Sequence, residues 1–337
     1  MRRFLDLAEL GHEGVLSLLE LAQRLERHPE PQALAGRVLG LLFFNPSLRT
    51  LASFQVAMAR LGGTSFVIHP GQGSWQLELR DGAVMDGAAA EHVREGLPVL
   101  ASYCDALGVR MFAAGRDLEA DLAERDFAAL ARQVDKPLIN LESAMNHPCQ
   151  ALADWKTLDE AGVPRRARFV LSWAYHPRAL PLAVPAAALH MAALRGMEVI
   201  VLRPEGFALP PPLMERARAA AAACGGSVRE STDRREALEG AEVLYVKEWG
   251  ATDAYGDAAA DAALRAPRRD WCVGEDWFGA APACRVMHCL PVRRNVAIAD
   301  AVLDGPRSLV RREAYNRLPA QMAVLHRLLR AQPGAQG

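Results

Sequence analysis

Short apolar runs alternate with amphipathic stretches along almost the whole chain, and this alternation restricts the fold more than any other feature. Residues 38–44 read as a strand, residues 47–61 as a helix opened by Asn45-Pro46-Ser47 and closed by Gly62-Gly63, and residues 64–69 as a second strand. A helix comes before them, with Val15, Leu18, Leu19, Ala22 and Leu25 on one face and Pro29 and Pro31 ending the pattern. The series continues with a helix over 91–102, a strand over 106–112, a helix over 118–133 and a strand over 137–141. After a helix over 150–161 it restarts with a strand over 168–173, a helix over 184–194, a strand over 198–202 and a helix over 212–223. Short strands at 243–246 and 285–287 and a helix around 320–329 complete it.

Strands joined through helices must run parallel, and the helices then cover the sheet. A length of 337 residues provides for two such units. The expectation is therefore an α/β chain of two doubly wound domains, each a parallel sheet flanked by helices, over 1–145 and 146–314. The helix at about 315–330 is expected to pack back on the first domain, and residues 333–337 to form a frayed tail.

Charge excludes some functions. The 39 Lys and Arg residues nearly balance 40 Asp and Glu, for a formal net charge of -1, so no sequence-wide field favours nucleic acid or an anionic membrane. Any anion must be held by a local cluster. Asp6 and Glu9 arrive before an apolar run long enough for a signal peptide, so secretion is not expected. The longest mostly apolar stretch, 179–194, is interrupted by Pro181, Pro185 and His190 and falls short of the ~20 residues that span a bilayer. Cys104, Cys149, Cys224, Cys272, Cys284 and Cys289 are scattered without a Cys-x-x-Cys pair, which argues against a zinc site or a disulfide framework and fits a reducing cytoplasm.

Local anion-binding chemistry lies at the strand-to-helix junctions. Ser47-Leu48-Arg49-Thr50 brings backbone N–H groups, two hydroxyls and a guanidinium to a helix N-terminus, as a phosphate requires. Taken alone, the tetrapeptide fits equally well an ordinary N-cap with a surface arginine. His147-Pro148-Cys149-Gln150 adds an imidazole and an amide at another junction, and Arg110 ends the strand containing Leu107-Gly108-Val109. His288-Cys289-Leu290-Pro291-Val292-Arg293-Arg294-Asn295 follows a third. In open α/β sheets, ligands sit beyond the carboxyl ends of the strands, so these loops are able to share one crevice.

Phe43-Phe44-Asn45-Pro46-Ser47-Leu48-Arg49-Thr50, His147-Pro148-Cys149-Gln150 and His288-Cys289-Leu290-Pro291 stand in the order and spacing of the aspartate/ornithine carbamoyltransferase family, which this chain resembles over residues 4–329. Gln72-Gly73-Ser74-Trp75, Val84-Met85-Asp86-Gly87, Trp173-Ala174-Tyr175-His176-Pro177-Arg178, Lys247-Glu248-Trp249 and Glu313-Ala314-Tyr315-Asn316-Arg317 resemble the branch acting on N-acylated ornithines. The resemblance implies a catalytic homotrimer with shared active sites. Its small-molecule substrates would be carbamoyl phosphate, bound by the first domain, and the amine, bound by the second. Ser47, Leu48, Arg49 and Thr50 would hold the phosphate, with Trp75 reaching in from a neighbouring copy. Arg110, His147 and Gln150 would bind the carbamoyl end, assisted by Arg317.

Attack of a neutral amine on carbamoyl phosphate puts charge on the carbonyl oxygen, and Arg110, His147 and Thr50 are the expected donors to it. Backbone carbonyls of Cys289 and Leu290 would orient the carbamoyl NH2 and the amine. Phosphate leaves readily and takes a proton itself, so this chemistry requires no metal, redox cofactor or covalent nucleophile, and the Cys289 thiol has no bond-forming part.

The family's ornithine enzymes grip the free α-amino group with a Ser-Met-Gly segment, absent here. Lys247 stands in the corresponding stretch and suits a carboxylate or amide oxygen. Glu142 is placed to position the amine end, while His176, Arg178, Lys247 and Arg293 would neutralise two carboxylates; Arg178 and Arg293 fit surface or intersubunit ion pairs as well. Two residues before His92, where N-acetylornithine enzymes carry a glutamate that would repel a succinyl carboxylate, this chain has Ala90. Ala297 replaces a lysine of the acetyl branch. The expectation is N-succinyl-L-ornithine as the amine, with N-acetyl-L-ornithine as the alternative.

Leu51 stands where the family usually has a second arginine, which leaves open a weaker phosphate cradle or a non-catalytic relative. A dinucleotide-dependent oxidoreductase would share the alternation, but no Gly-x-Gly-x-x-Gly turn follows a strand. A pure binding protein would not need three anion-binding junctions.

Overall fold

A computed structural model describes residues 1–330, so the tail expected at 333–337 lies outside the described residues. The strands form two five-stranded parallel sheets. The first contains β1 (Arg3–Phe4), β2 (Val38–Phe43), β3 (Thr64–Ile68), β6 (Ala106–Arg110) and β7 (Leu138–Glu142), in the order β1-β7-β6-β2-β3. The second contains β8 (Arg168–Trp173), β9 (Glu198–Leu202), β10 (Ser227–Ser231), β11 (Val243–Lys247) and β12 (Arg285–Met287), in the order β10-β9-β8-β11-β12. Between β3 and β6 the chain makes an excursion containing the paired two-residue strands β4 (Leu77–Glu78) and β5 (Glu91–His92).

From β2 in the first sheet and β8 in the second, the chain proceeds one way and then returns to the other side of that strand, with β1 adding an edge to the first sheet. The reversal falls between β2 and β6 in the first sheet and between β8 and β11 in the second. A crevice opens beyond the carboxyl ends at such a reversal, and the two crevices supply the two halves of the site described below.

The covering helices are α1 (Gly11–Arg27), α2 (Leu48–Arg60), α3 (Val93–Ser102), α4 (Leu118–Leu122), α5 (Arg125–Ala131), α6 (Pro148–Glu160), α7 (Ala183–Arg195), α8 (Pro211–Cys224), α9 (Arg234–Leu238), α10 (Ala258–Arg265), α11 (Asp300–Leu303) and α12 (Val310–Leu329). Most of the core is one continuous apolar cluster running from α1 through both sheets to α12. Helix α12 packs against α1, α2 and α6, and α6 in turn packs against α7. Gly62 closes α2 in the left-handed region (φ 85°), where a Cβ would stand 2.3 Å from the Pro31 carbonyl oxygen.

Departures from the sequence expectation have physical causes. The helix expected over 118–133 is two helices, α4 and α5, because Glu124 turns left-handed (φ 52°) and spends its carboxylate on the backbone and side chains of 143–146. Helix α12 begins ten residues before 320, at Val310, and its first turns bury Glu313, Asn316 and Arg317, polar residues that hide the apolar period. Strand β10 was not expected; it is a half-exposed edge strand without an apolar run. Among the described residues no helix is long and apolar enough to cross a membrane, and no group of His, Cys, Asp and Glu is arranged to hold a metal.

Candidate functional site

The loops leaving β2, β6, β7, β8, β11 and β12 surround a crevice of about 550 Å³ between the two sheets. On the first-sheet side, Ser47 is the N-cap of α2 and its Oγ accepts the Thr50 N–H at 3.3 Å. Ser47 thus caps the helix, and the capped N-terminus lines the crevice with Leu48, Arg49 and Thr50. Asn45 joins this loop to the next, since its Oδ1 accepts the Phe112 N–H at 2.8 Å.

Arg110, at the end of β6, is buried and paired with Glu142, at the end of β7. His147 follows, with Nε2 3.4 Å from the same Glu142 carboxylate and Nδ1 without a partner. Burial holds the imidazole well below its ordinary pKa, reinforced by the guanidinium groups of Arg317, Arg110 and Arg49, so His147 is neutral. Arg317 enters from α12 and donates to Thr50 Oγ1 at 2.9 Å and to Gln150 Oε1 at 3.0 Å. Helices α2, α6 and α12 therefore meet at one guanidinium.

The second-sheet side supplies His176, Lys247, Cys289, Leu290 and Arg293. Lys247 Nζ donates to Glu248 at 2.7 Å. Burial is the largest influence and opposes the Lys247 charge, but Glu248 and the other acidic groups facing it, Glu142 among them, together hold the ammonium above its ordinary range. His288 Nδ1 accepts the Leu290 N–H at 2.8 Å, fixing a loop in which Leu290 takes a left-handed φ of 58°. Arg293 Nε donates to His176 Nε2 at 2.9 Å, which leaves Nδ1 to carry the hydrogen toward the Arg178 carbonyl at 2.8 Å. Burial lowers the Cys289 thiol's acidity, raising its pKa to about 12 and keeping it protonated.

Trp75, Ala90 and Arg178 do not line this crevice within one chain. Trp75 is 61% exposed on the excursion between β3 and β6, and its indole N–H donates to Glu91 at 2.8 Å. Ala90, next to Glu91, is exposed on the same excursion. Arg178 contributes its backbone to His176 while its side chain is exposed.

Residues 2–160 match the family description "Aspartate/ornithine carbamoyltransferase, carbamoyl-P binding domain", and residues 184–328 match "Aspartate/ornithine carbamoyltransferase, Asp/Orn binding domain". The chain belongs to the aspartate/ornithine carbamoyltransferase family.

Within this family the similarity is to the N-acylornithine branch. The chain is 36% identical to an N-acetylornithine carbamoyltransferase of Xanthomonas campestris pv. campestris, over 98% of both chains. It is also 36% identical to an N-succinylornithine carbamoyltransferase of Bacteroides fragilis, over 88% of this chain and 89% of the relative. A glutamate-to-alanine variant of an N-acetyl-L-ornithine transcarbamylase, crystallised with carbamyl phosphate and N-succinyl-L-norvaline, superposes with a TM-score of 0.93 at 36% identity. That match covers 97% of this chain and all of the other. An ornithine carbamoyltransferase of Parafrankia sp. is 37% identical over 97% of this chain, so identity alone does not select the amine; the N-acetyl and N-succinyl relatives support an N-acylornithine carbamoyltransferase without choosing the acyl group.

Against this family background Leu51 is half-buried on α2 and packs on the core. The Arg317–Thr50 hydrogen bond beside it is made all the same. Sequence reasoning missed Asn45 and Glu124 as the residues that fix the junction loops. Neither gives a periodicity signal, because each acts through backbone groups distant in sequence.

Proposed function

We propose that this protein transfers the carbamoyl group of carbamoyl phosphate to the δ-amine of N-succinyl-L-ornithine, giving N-succinyl-L-citrulline and phosphate in arginine biosynthesis. The observation that carries the transferase reading is the convergence of Arg49, Arg110 and Arg317 on one capped helix N-terminus beside a neutral histidine. Ser47, Leu48, Arg49 and Thr50 hold the phosphate with the help of Arg317, and Gln150 takes the carbamoyl amide. Arg110, Thr50 and neutral His147 donate to the carbonyl oxygen as charge builds on it.

When Arg110 turns to the anion it leaves Glu142, which then accepts the amine end of the second substrate. The Cys289 and Leu290 carbonyls orient the attacking nitrogen. The tetrahedral intermediate collapses with loss of phosphate, which carries away the displaced proton. Lys247, His176 and Arg293 meet the carboxylates of the second substrate, with no part assigned to the Arg178 side chain.

The succinyl choice rests on Ala90. The indole–Glu91 hydrogen bond ties Trp75 to the segment bearing Ala90, so an excursion that delivers Trp75 to a neighbouring copy delivers Ala90 with it. No carboxylate at residue 90 then opposes a second negative charge on the acyl group. We therefore assign a homotrimer whose sites are shared between copies. A crystal structure with carbamoyl phosphate and N-succinyl-L-norvaline tests the reading: Trp75 and Ala90 of one copy should face the acyl group in the crevice of the next. An acyl group enclosed by a single chain would contradict it.

A further inference from the structure

Beneath the carbamoyl site lies a pair of acidic residues with no part in the steps above. Asp154 on α6 and Glu313 on α12 are both buried, and both accept from the same amide nitrogen, Gln150 Nε2, at 2.7 and 3.3 Å. The His288 backbone N–H donates to the other Glu313 oxygen at 2.8 Å. Three N–H groups thus serve three of the four carboxyl oxygens. The fourth, Asp154 Oδ2, has no partner among the described residues.

Two carboxylates this close in a dry site do not both stay ionised. The nearest cation, Arg317, reaches them only through the Gln150 amide. One hydrogen on the pair removes the like-charge repulsion. The remaining negative charge balances Arg317.

We propose that Asp154 and Glu313 share a single proton and act as positioning residues that hold the Gln150 amide with its oxygen toward Arg317 and the carbamoyl group. Burial raises Asp154 to about 7 and Glu313 well above the carboxylate range, in keeping with a retained proton. The shared state belongs to the pair and not to either residue. The other groups facing it are the Tyr245 hydroxyl from β11, the Arg317 guanidinium from α12 and the Cys289 thiol from the loop after β12. Burial keeps both Tyr245 and Cys289 protonated, so neither adds a negative charge to the pair, and the Tyr245 hydroxyl faces it as a further O–H donor.

Gln150 has its two hydrogens committed to the acids and one oxygen lone pair committed to Arg317, leaving one acceptor position to meet a carbamoyl NH2. This function of the pair rests on the carbamoyl-phosphate reading above. The proton itself does not, so the test has two arms.

Infrared spectra of the protein without substrates should show a protonated-carboxyl C=O band at neutral pH that disappears in both Asp154→Asn and Glu313→Gln, since either amide replaces the proton's hydrogen-bond donor. Absence of the band from the wild type, or its survival in both variants, overturns the proposal. In the kinetic arm, either single variant should lose less than ~10-fold in kcat/KM for carbamoyl phosphate, and the double variant more than ~100-fold, because only the double removes the charge opposite Arg317. Alkaline pH should raise the wild-type KM for carbamoyl phosphate as the shared proton leaves, while the single variants stay flat. Single variants each as damaged as the double, with unchanged pH profiles, would overturn the positioning role. A band that behaves as described in a protein that does not use carbamoyl phosphate would refute the functional reading and leave the proton in place.

Discussion

On the proposed function, the residues assigned to the phosphate and those assigned to the acyl group are built in opposite ways. Around the proposed phosphate position, buried Thr50, Gln150 and Arg317 are joined by hydrogen bonds across three helices, and buried Arg110 and His147 meet on Glu142 at two strand ends. On the acyl side, Trp75 and Ala90 sit on an exposed excursion, together with Val84 at 78% exposure. The difference is physical. A dianion must be met by preorganised donors whose own charges are already balanced, whereas apolar groups left in water are ready to be covered by another surface. One chain completes the first half; on the present account a second copy completes the other.

Breaking the buried half should have the largest effect. Arg317→Ala removes the donor to both Thr50 and Gln150, and kcat/KM for carbamoyl phosphate should fall by ~10³-fold, measured as phosphate release with the amine saturating. A loss below ~10-fold would mean that the three-helix junction does not serve phosphate binding.

The exposed half predicts complementation between copies. Arg110→Ala and Trp75→Ala proteins should each be nearly inactive, yet unfolding and refolding them together should restore activity, because some sites would receive a native arginine from one copy and a native tryptophan from the other. Mixtures no more active than their components would place the whole site in one chain.

How far the sequence revealed each half follows the same division. Most crevice-facing residues of the phosphate half were legible because they cluster in contiguous motifs at strand ends, where parallel sheets put their ligands, whereas Arg317, on α12, was legible only through the family resemblance. Their supports were not. Glu124 breaks an expected helix to cap 143–146, and Asp154 and Glu313 meet from positions 159 residues apart; no local pattern signals either arrangement. On the acyl side, Trp75 and Ala90 were legible only through family resemblance, since composition and periodicity in 69–92 give no reason to assign them a ligand. The β10 edge strand was missed for a simpler reason: half-exposed strands need no apolar run.

A smaller effect sharpens the acyl half. Ala90→Glu should lower kcat/KM for N-succinylornithine by ~10- to 100-fold while leaving N-acetylornithine nearly unaffected, as a carboxylate brought against a carboxylate requires. Equal effects on both amines would remove residue 90 from the acyl pocket.

The smallest effect concerns stability away from both halves. Burial first, and the Arg216 charge after it, push His190 down to about 4, against an unfolded value near ~6.5. Between those values the unfolded chain binds a proton that the folded chain refuses, so stability falls as pH drops through that window. Thermal melts of His190→Gln, which keeps a donor for the Leu213 carbonyl, should lose part of that acid sensitivity. A melting profile parallel to the wild type from pH 7 to 4 would show that His190 does not supply it.

The most direct test is the wild-type kcat/KM for L-ornithine, N-acetyl-L-ornithine and N-succinyl-L-ornithine at saturating carbamoyl phosphate. The account predicts the succinyl compound first, the acetyl compound behind it and free ornithine last; a higher value for N-acetyl-L-ornithine or for ornithine would contradict it.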